Sequence, residues 1–224
     1  APMNEVARFI ISDLDSAIML LKSAPDATRN RLSKACAQVY KSRVALYTAT
    51  WVKYFKGTAF VPNGPEWPGK DKAYNASYNF PSGSIESEID YFLTQAMDAS
   101  KAVAGSVSLV QNTMTLQRQV NNRDFAVASD ANPYCRMFGQ ADMSPYSEIL
   151  LWKKYDQGLG ITNGIGYGIQ QGAGVGWTNG FVNSFLMANG LPIYTPGSGY
   201  IGDDSTALIR QNRDGRCWLF LTKP

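Results

Sequence analysis

Residues 31–55, RLSKACAQVYKSRVALYTATWVKYF, decide the fold, because they keep a helical pattern over their whole length. Apolar side chains that recur at helical spacing predict a buried stripe: Cys36, Tyr40, Val44, Tyr47, Trp51 and Tyr54. We expect Trp51 and Cys36 to be core residues. Small residues flank the stripe and let a neighbouring helix approach closely: Ala35, Ala37, Ala45 and Ala49.

Residues 4–22, NEVARFIISDLDSAIMLLK, predict an amphipathic helix before it. Its predicted buried stripe comprises Val6, Phe9, Ile10, Leu14, Ala17, Ile18 and Leu21. Two consecutive helices of this kind predict an antiparallel hairpin, the unit of helical-repeat proteins. The pattern therefore indicates a mainly α fold.

A third helix is predicted at residues 85–104, with Ser84 as its N-cap. Glu86, Glu88 and Asp90 lie in or near its first turn, where the helix dipole favours negative charge. They are close in sequence but face different sides of the helix. We therefore assign these carboxylates a structural role and no catalytic one.

Residues 57–84 form a long irregular segment rich in Pro, Gly, Asn and Tyr, and a loop of this length in a compact domain is usually functional. Within it, GPEWPGKD at 64–71 matches the pattern G-x-x-x-x-G-K of phosphate-binding loops. Pro65 and Pro68 have no N–H to offer a phosphate, and Asp71 stands where a hydroxyl is needed. The segment is interpreted as a stiff loop that displays Trp67.

The second half of the chain has weaker patterns. Residues 121–131 predict a short helix, and residues 148–155 predict a strand or a helix end. The segment NGIGYGIQQGAGVGW at 163–177 is glycine-rich, but none of its registers gives G-x-G-x-x-G, so dinucleotide binding is not predicted.

Composition excludes several function classes. The 224 residues include no histidine, which rules out Ser/His/Asp and Cys/His catalysis within this chain. The net charge of +3 comes from scattered residues, so nucleic acid is not a predicted partner. Cys36, Cys135 and Cys217 do not have zinc-site spacing, and whether Cys135 and Cys217 pair is left open. The sequence has no run of apolar residues long enough for a membrane span, and no metal site is predicted.

Aromatic and amide side chains are concentrated in the two irregular segments, and aromatic residues make up 12% of the chain. Flat rings can stack on the C–H faces of a sugar while amides bond its hydroxyls. The candidate ligand-binding residues are Trp67, Tyr74 and Tyr78 in the first segment and Asn163, Tyr167 and Trp177 in the second. For any single ring, packing of the loop onto the helices is an equally good explanation.

Four stretches in order resemble the SusD/RagB family of outer-membrane glycan-binding lipoproteins. The first is the run from Arg31 to Tyr74 with the later SKAVAG, and the second is NPYCRMFGQADMSPYSEILLWKKYD at 132–156. The third is GWTNGFVNSFLMANGLPI at 176–193, and the fourth is NRDGRCWLFLTKP at 212–224. Asn189 and Gly215 stand where many relatives have Asp and Pro.

The resemblance implies a mainly α, tetratricopeptide-like helical-repeat scaffold of SusD type with an irregular loop-rich lobe. We expect one domain over 1–224, with the helical-repeat part at 1–120, its inserted loop at 57–84 and the loop-rich lobe at 121–224. The family implies a surface-exposed outer-membrane lipoprotein that passes oligosaccharides to a SusC-like TonB-dependent transporter, without catalysis or cofactor. Because its members are longer and begin with a signal and a lipid-anchor cysteine, the chain is interpreted as an internal fragment.

Three alternatives are open. Some members of the family serve peptide-importing transporters, and rings beside amides also suit an extended peptide. A glycoside hydrolase or lyase would need two converging carboxylates or a tyrosine base, and Asp203 and Asp204 are the best acids available, with calcium near them also left open. A helical-repeat scaffold for protein partners would leave the loop aromatics unexplained.

Overall fold

A computed structural model describes residues 1–111, 133–165 and 176–221 of this protein. Within these ranges it contains helices and no strand, so the prediction of a mainly α fold is confirmed. The helices are α1 (Met3–Leu20), α2 (Lys34–Tyr54), α3 (Ile85–Ala104), α4 (Pro133–Phe138), α5 (Asn179–Asn183), α6 (Thr206–Arg210) and α7 (Gly215–Phe220). Short 3-10 helices lie at Ala73–Asn75 and Gln157–Leu159. The helix predicted at 121–131 lies outside the described residues.

The chain divides into two compact units. The first comprises Ala1–Leu109 and Met143–Lys153, and the second comprises Val110–Asp142 and Lys154–Pro224. Helices α1 to α3 belong to the first unit, and α4 to α7 belong to the second.

The first unit is built on α2, which packs against both α1 and α3. Its core combines small residues with two large ones: Ala7, Ile11, Ala45, Ala49, Phe92 and Ala96. Alanine on all three helices lets the helices approach closely, and the fully buried Phe92 fills the volume between them.

The predicted buried stripe of α2 is wrong for its tyrosines, because Tyr40, Tyr47 and Tyr54 are exposed. The buried face is the small-residue face, and it consists of Ala35, Cys36, Ala37, Ala45, Thr48, Ala49 and Val52. Two helices contact α2, and the close approach leaves no room there for tyrosine rings. Cys36 is buried as predicted, and Trp51 is partly buried against a second cluster of Val52, Val61 and Ile89.

The predicted stripe of α1 is also partly wrong. Ala7 and Ile11 are buried, whereas Val6, Phe9 and Ile10 are exposed. Helix α1 therefore has one apolar face in the core and a second that no described residue covers.

Two of the long helices begin with the serine caps that helix starts favour. Ser84 accepts a hydrogen bond from the Ser87 N–H, as predicted, and Ser33 caps α2 by accepting from the Cys36 N–H. Helix α3 has the bounds that the sequence predicts.

Residues 148–155 are neither strand nor helix, so both interpretations of this segment are wrong. Its polar backbone groups bond to the α1–α2 connection instead. The Arg29 guanidinium donates to the carbonyls of Ser144 and Ile149, and the Trp152 indole donates to the Thr28 carbonyl at 2.8 Å. These bonds satisfy an irregular backbone without a β-ladder.

In the second unit, Arg213 joins two segments that are distant in sequence. Its buried guanidinium donates to the carbonyl of Val182 at 2.6 Å and to that of Phe185 at 2.9 Å. The backbone also pairs Met187 with Arg213 in an isolated bridge. Arg213 therefore has a structural role that the sequence did not reveal, since nothing in the pattern identifies its carbonyl partners.

Candidate functional site

The loop at 57–84 is built of consecutive turns. The N–H groups of Thr58, Val61, Gly64, Trp67 and Lys70 each bond to the carbonyl three residues earlier. Pro62, Pro65 and Pro68 each occupy the second position of a turn, where proline's fixed φ is favourable and its missing N–H costs nothing. The recurrence of proline every third residue was the sequence signal for this arrangement.

The third positions of these turns also have the backbone conformation that such turns need. Asn63 and Glu66 have φ values of 62° and 56°, the left-handed region that type II turns require. Gly64 is needed for a different reason, because a Cβ there would overlap the Thr58 carbonyl oxygen. The segment therefore contains almost no regular secondary structure, but its turns fix the path of its backbone.

The same turns bear on phosphate binding. The N–H groups of Gly64, Trp67 and Lys70 point into the loop's own hydrogen bonds, at 3.0, 3.2 and 3.0 Å. A phosphate-binding loop needs such donors unoccupied. The geometry therefore does not fit the G-x-x-x-x-G-K chemistry.

Trp67 and Tyr78 pack together at the base of the loop. Their ring centroids are 5.5 Å apart with planes at 50°, and a Cβ on Gly69 would overlap the Trp67 indole. The Asn75 amide donates to the Gly69 carbonyl at 2.8 Å. The Tyr78 hydroxyl donates to Asn4 Oδ1, also at 2.8 Å. Both rings are partly buried and brace the loop against α1.

A buried ion pair lies beneath this contact. Glu88 is fully buried and accepts hydrogen bonds from the Arg8 guanidinium, the Asn4 amide and the Ser82 N–H. Burial alone would raise the pKa of Glu88, but the hydrogen bonds from Arg8 and Asn4 outweigh it and lower that pKa to about 2. Burial also raises the pKa of Tyr78 to about 12, above its ordinary value of 10.

Tyr74 differs from its two aromatic neighbours. It lies in the 3-10 helix Ala73–Asn75, and its side chain is 71% exposed. In the described part of the chain it makes no hydrogen bond or ring contact. Of the three predicted residues in this loop, Tyr74 is thus the one whose ring is presented to solvent.

The predicted residues of the second unit form a separate set. Trp177 is 42% exposed, lies parallel to Phe185 at 5.9 Å and meets Phe181 edge-on at 4.9 Å. Thr178 caps α5 directly after Trp177, which fixes the chain there. The exposed Asn163 accepts a hydrogen bond from the Ile165 N–H within a local turn. Tyr167 lies outside the described residues.

The described residues show no arrangement suited to acid–base or metal chemistry. Asp203 and Asp204 are exposed in an irregular segment. Among the described residues, no three acidic or cysteine side chains are grouped so that they could hold a metal ion. Of the described helices, none has both the length and the apolar character that crossing a bilayer requires.

Comparison with known proteins adds no relative. No protein-family model, curated protein or solved structure matches this chain. The resemblance to the SusD/RagB family therefore stays a prediction.

Proposed function

We propose that this protein binds oligosaccharides or polysaccharides without cleaving them. Its scaffold would be the tetratricopeptide-like helical repeat of the SusD type. It would act at the cell surface, held to the outer membrane by a lipid anchor, and would deliver the glycan to a SusC-like TonB-dependent transporter.

The observation that carries the proposal is an exposed ring on a rigid loop. Tyr74 faces solvent, while Trp67, Tyr78 and the proline turns hold the segment below it in place. A loop backbone that is already held in one conformation loses little conformational entropy when a ligand stacks on a ring that the loop carries. The exposed amide of Asn79 lies in the same loop and can bond a sugar hydroxyl.

Trp177 supports the proposal independently. Its partly exposed indole packs against Phe181 and Phe185, which orient the ring as a platform for a ligand. Tyr and Trp present large apolar faces with a polar edge, which matches the alternation of C–H faces and hydroxyls on a sugar.

The transporter partner and the outer-membrane location rest on the resemblance. The third and fourth of its stretches meet in the second unit, where Asp214 N–H bonds to the Leu186 carbonyl at 2.9 Å. This contact gives both stretches a structural role in one compact unit.

Affinity electrophoresis tests the proposal. The protein, Tyr74→Ala, Trp177→Ala and the control Tyr54→Ala would be run through gels that contain different polysaccharides. Tyr54 is 75% exposed on α2 and lies outside the proposed site, so it matches Tyr74 in exposure. We expect one glycan to retard the wild type and the control, and to retard Tyr74→Ala and Trp177→Ala less strongly.

Two results would contradict the proposal. Cleavage of the retained glycan would show an enzyme. Failure of every glycan to retard the protein, together with retention on an immobilised peptide library, would show the peptide-binding alternative.

A further inference from the structure

Helices α1 and α2 of the first unit leave an apolar groove open to solvent. Its volume is about 920 Å³. The residues that line it are mostly apolar or aromatic, and they include Met3, Val6, Ile10, Tyr40, Leu46 and Tyr47. A contiguous apolar surface of this kind on a soluble unit marks an interaction site.

The groove has the residue spacing of a helix-packing seam. Val6 and Ile10 are exposed at an interval of four on α1, and Tyr40 and Tyr47 are exposed at an interval of seven, the sum of four and three, on α2. Intervals of four and three are those of the a and d positions at which helices interdigitate in bundles. The face is therefore suited to receive further helices and is poorly suited to a small polar ligand.

Charge selects a second copy of this chain as the occupant. Asp13 follows the apolar residues of the α1 seam, and Arg43 lies between the two tyrosines of the α2 seam. The salt bridge from Lys41 to Asp15, 2.6 Å, fixes the antiparallel register and brings residue 13 level with residue 43. In the described part of the chain neither Asp13 nor Arg43 has an ion-pair partner.

We propose that two copies of this chain form a symmetric dimer through the α1–α2 groove, with α1 of each copy over α2 of the other. A two-fold axis that lies between the copies and runs parallel to the helices places Arg43 of each copy opposite Asp13 of the other. The apolar seam of each copy then covers the apolar seam of the other. The interaction goes beyond glycan binding and does not depend on it.

Sedimentation equilibrium on the whole chain tests the dimer. The wild type should show a monomer–dimer equilibrium in the micromolar range or tighter. Arg43→Glu and Asp13→Lys should each raise the dimer dissociation constant at least about tenfold, because each places like charges together twice per dimer. The double variant Arg43→Glu/Asp13→Lys should return the constant to near the wild-type value.

The control is Asp98→Lys, which makes the same charge change as Asp13→Lys at an exposed position of α3 and should leave the equilibrium unchanged. Circular dichroism of every variant verifies that the helices are intact. A wild type that is monomeric at all concentrations would overturn the proposal and leave the groove to a different protein. A dimer that the single variants do not weaken, or that the double variant does not restore, would overturn it as well.

Discussion

The Arg8 guanidinium binds the Glu88 carboxylate in bidentate geometry, with Nε 2.9 Å from Oε1 and Nη2 2.8 Å from Oε2. This pair links α1 to the first turn of α3, and the Asn4 amide extends it to the Tyr78 hydroxyl. Planar two-bond pairing is the strongest geometry available to an arginine and a carboxylate. The base of the aromatic loop is thus tied to the helical core by one polar network.

Replacing Glu88 by Gln should destabilise the protein by about 3 kcal/mol, since it leaves the partly buried Arg8 charge without its anionic partner. Urea unfolding at pH 7, followed by circular dichroism, measures the change. Asp98→Asn, at an exposed position of α3, is the control and should cost less than about 0.5 kcal/mol. Equal effects of the two substitutions would contradict the structural role of Glu88.

The same pair predicts a pH dependence. The pKa of Glu88 is lowered from 4.5 to about 2 in the folded protein, so its contribution is complete above pH 4.5 and is lost as pH falls towards 2. The shift corresponds to about 3 kcal/mol. The difference in unfolding free energy between wild type and Glu88→Gln should therefore shrink across this pH range. A difference that stays constant from pH 7 to pH 2.5 would contradict the assigned pKa.

Substitution on the two faces of α2 tests which of them is the core face. Ala49 is fully buried, so Ala49→Leu should destabilise the first unit by about 1–3 kcal/mol or more through overpacking. Tyr54→Ala, on the exposed face, should change stability by less than about 0.5 kcal/mol. Thermal unfolding measures both changes. If the tyrosine stripe were the buried face, Tyr54→Ala would lose more stability than Ala49→Leu.

Gly69 permits the contact that holds Trp67 in place. A Cβ at Gly69 would overlap the indole, so Gly69→Ala should displace the ring, cost about 1–3 kcal/mol and change the near-ultraviolet circular dichroism. Gly105→Ala is the matched control, because a Cβ there meets nothing within 4 Å. An unchanged aromatic signal in Gly69→Ala would show that the indole does not rest on this glycine.

Arg213 should not be replaceable by lysine. A single ammonium cannot reproduce the guanidinium bonds to the carbonyls of Val182 and Phe185, so Arg213→Lys should cost about 2 kcal/mol. Arg136 is exposed, and Arg136→Lys is the control with little expected change. Limited proteolysis of the second unit, with cleavage sites mapped by mass spectrometry, would detect the loosening in the first variant only.

The sequence was sufficient to predict the three long helices and the Ser84 cap, because periodicity and capping are local properties. It was wrong about the exposure of part of the α1 stripe and of the tyrosines of α2. Periodicity identifies an apolar stripe but does not distinguish the stripe that meets another helix from one that stays exposed, and on α2 the deciding factor was the small volume of Ala45 and Ala49.

The candidate site was predictable only in part. Composition and length indicated the loop at 57–84, and Tyr74 is exposed there, but the same reasoning gave no way to separate it from Trp67 and Tyr78, which brace the loop. That distinction depends on contacts with Asn4 and Gly69, and these arise only when distant or turn-related residues meet in the fold.

The proposed glycan binding depends most on the exposed ring of Tyr74. Isothermal titration calorimetry with the glycan that retards the protein most strongly would compare the wild type, Tyr74→Ala and the exposure-matched Tyr54→Ala. Loss of one stacked ring should weaken binding about 5- to 10-fold in Tyr74→Ala, and the thermal stability of this variant should be unchanged. The affinity of Tyr54→Ala for the glycan should equal that of the wild type. Equal affinity of Tyr74→Ala and wild type would contradict the claim.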